Sequence, residues 1–162
     1  MLANSQEIRS FSVVATSPCH RETALLIYSA RLLGYHCPFL VVCDKETESH
    51  LNQYDLGDVV TRDMGELESV NIPKHNELHN ASVILKKMDA IQWGVNQCGN
   101  TMFLDADIVL LKRIEHEISQ PTMLSPHYHT VDRLHEGDRY GGFNAGYLFT
   151  KEPDLAERWR WL

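Results

Sequence analysis

The chain has 162 residues, 43% hydrophobic and 23% charged, the profile of a single globular domain spanning residues 1–162 with its own core. The formal net charge of −7 disfavours a general nucleic-acid surface. With that net negative charge an anionic nucleotide would be held locally, by a metal and a few placed cations, and no apolar run reaches the length of a membrane span.

From Met1 to Glu7 there is neither a basic start nor an apolar core, so no signal peptide is expected. The four cysteines (Cys19, Cys37, Cys43 and Cys98) include no Cys-x-x-Cys pair. They read as reduced thiols of a cytoplasmic protein. Residues 11–17 are β-rich and end in small polar types, which predicts the first strand of a parallel sheet. Across 21–33, Ala24, Leu25, Ile27, Tyr28, the stem of Arg31 and Leu32 recur at helical spacing, and Gly34 supplies the stop. Residues 38–44 predict a second strand, 46–54 a short helix and 58–61 a short third strand. This order predicts a doubly wound sheet with helices on both faces. Residues 63–80, interrupted by Pro73, predict a loop. Residues 81–97 predict a long helix with Val83, Ile84, Met88, Ile91 and Val95 on one side.

Residues 102–111 are apolar on both sides of Asp105-Ala106-Asp107. That predicts a strand buried on both faces and running through the two aspartates. In an extended chain Asp105 and Asp107 project the same way. Two carboxylates side by side in apolar surroundings repel, and are costly to desolvate unless a cation joins them. A hard divalent ion, Mg²⁺ or Mn²⁺, suits such oxygen ligands. The alternative is a strand that ends at Leu104, with both aspartates solvated in a turn; the flanking apolar residues disfavour it. Beyond, residues 122–125 predict a short strand, 127–142 a surface loop over the site, and 143–150 a further strand. Residues 153–162 predict an amphipathic helix that buries Leu155, Trp159 and Leu162. Trp159 and Trp161 need covering so close to the end, so the chain is expected to be a fragment, or to have its remainder supplied elsewhere.

Ligands of open α/β sheets bind beyond the carboxyl ends of the strands. Thr16-Ser17, Asp44 and Asp105-Ala106-Asp107 converge there, joined by Asn144 if the last strand is antiparallel. Lys86 and Lys87 sit on the long helix, where a cation can meet a diphosphate; a solvated lysine face is the plain alternative. His127 and His129 read as exposed loop residues. The glutamate between His75 and His79 is misplaced for a His-Glu-x-x-His zinc site.

Taken in order, residues 11–17, Leu85 to Trp93, Asp105-Ala106-Asp107 and Gly142 to Thr150 resemble segments of the GT-A glycosyltransferases. The glycogenin-like and nucleotide-diphospho-sugar transferase families are the most similar. The set covers nearly the whole chain and is specific together rather than singly. The resemblance implies an α/β fold with a Rossmann-like mixed sheet, mostly parallel and flanked by helices. It implies sugar transfer from a nucleotide-diphosphate sugar, expected to be a UDP-sugar, to a glycan, protein or small-molecule acceptor. It assigns base and ribose to Ala15, Thr16 and Ser17, the donor phosphates to Lys87, and further donor contacts to Asp105, Ala106, Asn144 and Gly146. It assigns Mn²⁺ or Mg²⁺ to Asp105 and Asp107. The same families carry an Asp-Gln segment and a late histidine ligand that this chain does not reach. Two alternatives stand beside it. A sugar nucleotidyltransferase is disfavoured because residues 14–18 hold no glycine or lysine. The other is a non-catalytic partner domain associating through its Trp159-Trp161 end.

Overall fold

Phe11, Val13 and Ala15 point to one side of strand β1 (Phe11–Ala15), and Ser12 and Val14 to the other. That alternation divides the core into two layers. The structure, a computed structural model, describes residues 7–64, 77–126 and 143–160. In chain order the remaining elements are α1 (His20–Leu32), β2 (Phe39–Cys43), α2 (Lys45–Leu51), β3 (Val59–Asp63), α3 (Glu77–Cys98), β4 (Thr101–Leu104), β5 (Thr122–Pro126), β6 (Phe143–Thr150) and α4 (Leu155–Arg160). The strands form a six-stranded sheet in the order β3-β2-β1-β4-β6-β5. Strands β3, β2, β1 and β4 are parallel, and β6 is antiparallel to both β4 and β5. This is the mostly parallel mixed sheet the sequence predicts.

One layer holds Phe11, Val13, Phe39, Val41, Met102 and Leu104 against α1. The other holds Val42, Phe103 and Leu148 against Met88, Ala90 and Ile91 of α3 and Ala156 of α4. Phe103 is fully buried, and truncating such a side chain to alanine typically costs about 3–5 kcal/mol.

The predicted buried face of α1 is corrected. Leu25, Tyr28 and Leu32 are exposed, while Thr23, Ala24, Leu26, Ile27, Ser29 and Ala30 are buried. The polar members of that face have partners. Thr23 donates to the Cys19 carbonyl at 2.8 Å; Ser29 donates to the Leu26 carbonyl at 2.7 Å and accepts from the Leu110 amide at 3.0 Å. Small residues here admit the segment after β4, which returns beside α1 and buries Leu110, Ile114 and Ile118 in the same layer. Gly34, at φ +80°, ends α1 as expected. Arg31 is more than a covering stem. Its guanidinium donates to the carbonyls of Leu56, Tyr35, Cys37 and Asp58 and tethers the loops that lead into β2 and β3.

Other details also differ from the sequence reading. Helix α3 begins at Glu77, so 77–80 is helix rather than loop. β1 stops at Ala15, and Ser17–Cys19 form a 3-10 turn with Pro18 at its centre. In α4 the most buried residue is Ala156, with Leu155 and Trp159 only partly covered. Residues 127–142, with His127 and His129, lie outside the described residues, as do His75, Trp161 and Leu162. All four cysteines are free thiols.

Helix α3 reaches the sheet through Gly94. A Cβ there would lie 2.5 Å from Ser12 Oγ and 2.6 Å from Thr101 Oγ1. Those two hydroxyls share a buried hydrogen bond of 2.6 Å, so neither can move aside freely. Gly94→Ala should therefore destabilise the chain by about 1–3 kcal/mol, read as a lower urea midpoint at unchanged slope. An unchanged midpoint would mean the helix can lift without cost.

At the amino-terminal end of the sheet, Tyr35 closes a second contact. Its hydroxyl donates to Glu115 Oε2 at 2.6 Å and accepts from the Ile114 amide at 2.9 Å. Arg113 pairs with Glu115 and lies over the Tyr35 ring, 4.7 Å from its centroid. Burial works to raise the Glu115 carboxyl, but hydrogen bonds from Arg113 and Tyr35 outweigh it and hold the group below its ordinary 4.5. A carboxyl lowered in the folded state adds stability above its unfolded value and loses it as pH falls through the folded value. Glu115→Gln should thus flatten the acid limb of the stability curve below about pH 4.5, where the unfolded carboxyl begins to protonate. Parallel acid titrations of both proteins by circular dichroism measure it; superimposable acid limbs would contradict it.

Candidate functional site

The strand order reverses between β1 and β4, since β2 and β3 lie to one side of β1 and β4, β6 and β5 to the other. A crevice beyond the carboxyl ends of the parallel strands at such a switch point is where open α/β sheets receive ligands. Ala15 closes β1 there, Thr16 follows in extended conformation at φ −119° and ψ 162°, and Ser17 opens the 3-10 turn. Thr16 makes no side-chain capping bond. Asp44, at the end of β2, holds this loop instead. One carboxylate oxygen accepts from the Ser17 amide and the other from the Thr47 amide, both at 2.7 Å. Asp44 is buried and serves as the N-cap of α2. Its place among the converging residues stands, but its role there is to fix Ser17. His20 adds a second tie through Nδ1, 2.7 Å from the Ser17 carbonyl, and its ring stacks on His50 with centroids 4.1 Å apart.

The strand through the two aspartates is the main correction. β4 ends at Leu104, and Asp105-Ala106-Asp107 form a turn in which the Ile108 amide donates to the Asp105 carbonyl at 3.1 Å. The apolar residues that suggested a continuing strand serve the return path: Leu110 is buried beside α1, while Val109 and Leu111 are exposed. The alternation argument for Asp105 and Asp107 therefore does not apply. Asp105 is 35% exposed at its side chain, Asp107 is exposed and Ala106 is buried. The carboxylates are wet, and their desolvation does not by itself require a cation.

Asp105 is nonetheless held from two directions. Its amide donates to the Gly146 carbonyl at 2.9 Å. Its Oδ1 lies 2.7 Å from the ammonium of Lys87, whose side chain is only 17% exposed. The Lys87 ammonium also sits 5.8 Å from the centroid of the Phe103 ring. Lys86, one position back, turns to Asp89 at 3.9 Å. It lines a separate pocket of about 410 Å³ with Arg62, Asp63 and Trp93, between α3 and the β3 edge.

Because β6 is antiparallel, its start lies at the same end of the sheet as Asp105, with Tyr147 opposite Leu104. β5 pairs Leu124 with Leu148 and the adjacent Ser125 with Asn144, so residues 145–147 are extra on β6. This irregularity beside the crevice is the kind of device that re-aims a strand at a functional site. The backbone of Asn144 is thereby at the crevice; its side chain lies outside the described residues. Among the described residues no group of three or more His, Cys, Asp or Glu side chains could hold a metal. No helix among them is long and apolar enough to cross a membrane. Two features escaped the sequence reading: the Gly94 contact, which carries no local signal, and the Asp44 cap, readable in Asp44-Lys45-Glu46-Thr47 as a capping residue ahead of a helix.

These features define a GT-A fold, the architecture of solved glycosyltransferases. The chain is similar to the galactosyltransferase LgtC, solved with donor and acceptor sugar analogues (TM-score 0.59, 16% identity, 94% of this chain and 60% of that one). It is also similar to mouse xyloside xylosyltransferase 1 (TM-score 0.53, 11% identity, 92% and 74%). A third likeness is to the glycosyltransferase GlyE of Streptococcus pneumoniae TIGR4 (TM-score 0.54, 15% identity, 94% and 36%). The chain thus spans about 60% of the length of the galactosyltransferase. No protein-family model matches the sequence, and no curated protein does.

The double grip of Asp44 makes a prediction of its own. Asp44→Ala should cost about 1–2 kcal/mol in stability, because it strips two backbone amides of their acceptor. Urea denaturation reads the loss, and backbone amide shifts of Ser17 and Thr47 should move together. Stability within error of the parent would show that water replaces the carboxylate freely.

Proposed function

We propose that the chain is the donor-binding part of a metal-dependent glycosyltransferase acting on a nucleotide-diphosphate sugar, with a UDP-sugar as the donor and a glycan, protein or small-molecule hydroxyl as the acceptor. The observation that carries this reading is the meeting of Lys87, Asp105 and Gly146 at the β1–β4 switch point of a glycosyltransferase fold. Ala15, Thr16 and Ser17 receive the base and ribose at the end of β1. Lys87 sets its ammonium against the diphosphate. Asn144 and the backbone at Gly146 orient the sugar.

Two carboxylates in an open turn fit Mg²⁺ or Mn²⁺. Such ions take one or two protein carboxylates and complete their shell with phosphate oxygens and water. Asp105 and Asp107 would be those ligands, with Asp107 exposed to solvent. When bound, the ion neutralises charge that gathers on the departing diphosphate. The chain's own contribution is positioning. The Gly146 carbonyl fixes the Asp105 backbone, Asp44 fixes the Ser17 loop, and the Lys87 ammonium lies over the Phe103 ring. Lys87 adds a fixed positive charge beside the same leaving group.

Asp105→Asn and Asp107→Asn should each remove Mn²⁺-dependent UDP binding, with at least a tenfold loss, equivalent to about 1.4 kcal/mol. Isothermal titration of UDP with and without Mn²⁺ is the measurement. Equal titrations for parent and variants would end the assignment of the ion to this turn.

A further inference from the structure

We propose that Lys87 is a resident counter-ion which a divalent cation must displace from Asp105, and that this exchange couples the binding of the ion to that of the nucleotide diphosphate. The inference rests on the nucleotide-sugar reading above and concerns how that site is regulated. Its basis is the Lys87–Asp105 contact. The ammonium occupies a carboxylate oxygen at 2.7 Å, and it is the more buried partner, at 17% against 35% exposure. Asp107 is exposed and has no ion-pair partner among the described residues.

An approaching dication therefore meets two carboxylates already half neutralised. It also meets a positive charge next to the oxygen it needs, and like charges at that range repel. Binding the ion alone would either crowd the ammonium or expel it, leaving a half-buried cation unpaired, and both are costly. A diphosphate arriving with the ion changes the balance. Its oxygens give Lys87 a new anion as Asp105 passes to the metal, so every charge keeps a partner. By linkage, the factor by which diphosphate improves ion binding equals the factor by which ion improves diphosphate binding. Part of that factor belongs to Lys87 and is lost with its charge.

The test is a Mn²⁺ titration of the 162-residue chain, followed by the electron paramagnetic resonance signal of free Mn²⁺, with and without saturating UDP. Without nucleotide, Lys87→Gln and Lys87→Ala should bind Mn²⁺ about five- to tenfold more tightly than the parent, the lower range of typical coupling factors. UDP should then improve their Mn²⁺ binding by a smaller factor than it does for the parent. Lys87→Arg, which keeps the charge, should match the parent. Circular dichroism melts establish that each variant is folded. Folded neutral variants that bind Mn²⁺ no more tightly than the parent would overturn the exchange while leaving the metal site intact. Mn²⁺ binding unaffected by Asp107→Asn would place the ion elsewhere and remove both readings. A measurement on the unaltered chain needs no variant at all: the Lys87 ε-methylene resonance should move when Mg²⁺ is added before any nucleotide. If it stays fixed while Asp107 signals shift, the ion and the ammonium do not compete.

Discussion

The contact on which the site depends is the seat of α3 on the sheet at Gly94. Ser12 and Thr101 lie on neighbouring strands and are tied by a buried hydrogen bond. The helix backbone rests on that pair with no room for a Cβ. Residues seven apart on a helix lie on nearly the same face, so the same seat sets the height of Lys87. Two turns before Gly94, its ammonium lies over the Phe103 ring and reaches Asp105. A helix lifted by a methyl group would draw back a side chain that meets its partner at hydrogen-bond distance. Core packing and the electrostatics of the crevice are therefore one constraint.

The end of β4 at Leu104 changes the physics of the two aspartates. In a buried strand, the carboxylates would need a cation to exist as charges at all. In a turn they are hydrated, and their charges do not by themselves require one. The structure supplies its own partial substitute in Lys87 and fixes the Asp105 backbone through the Gly146 carbonyl. Only one of the acids is held in this way. Asp105 is the anchored member and Asp107 the exposed one, an asymmetry that strand alternation would have hidden.

Most of the sheet was legible in the sequence because period-2 and period-3.6 patterns are local. Residues 11–15, 39–43 and 143–150 are dense in apolar or β-branched types, and they are strands. What sequence reading missed was non-local. The apolar run after Asp107 looks like more strand, yet Leu110 is captured by Ser29 of a helix some eighty residues earlier. The buried face of α1 includes Thr23 and Ser29, which no hydrophobic count selects. The choice of Lys87 over Lys86 could be suggested by alignment with known motifs. Its contact with Asp105 depends on how α3 is rotated on the sheet, which the Gly94 seat governs. Pairing of Asp105 with Gly146 requires β6 to enter antiparallel and irregular, and a single strand's composition carries neither fact.

The two ends of the sheet are built to different rules. At the amino-terminal end, Arg31 satisfies four loop carbonyls, and Tyr35 joins Glu115, Ile114 and the Arg113 charge into a closed set. Arg31, Tyr35, Arg113 and Glu115 are each already partnered, so this set contributes stability and offers a ligand little. At the carboxyl end only the framework is closed, through Asp44 and the Gly146 carbonyl. Asp107 faces water, and Lys87 pairs with the partly exposed Asp105. Binding a highly charged ligand requires groups that can exchange partners, whereas a fold that holds its shape requires groups that do not. On the proposed reading, the first kind stands at the switch point and the second at the opposite end, so that charge would be rearranged at the crevice without loosening the sheet that positions it.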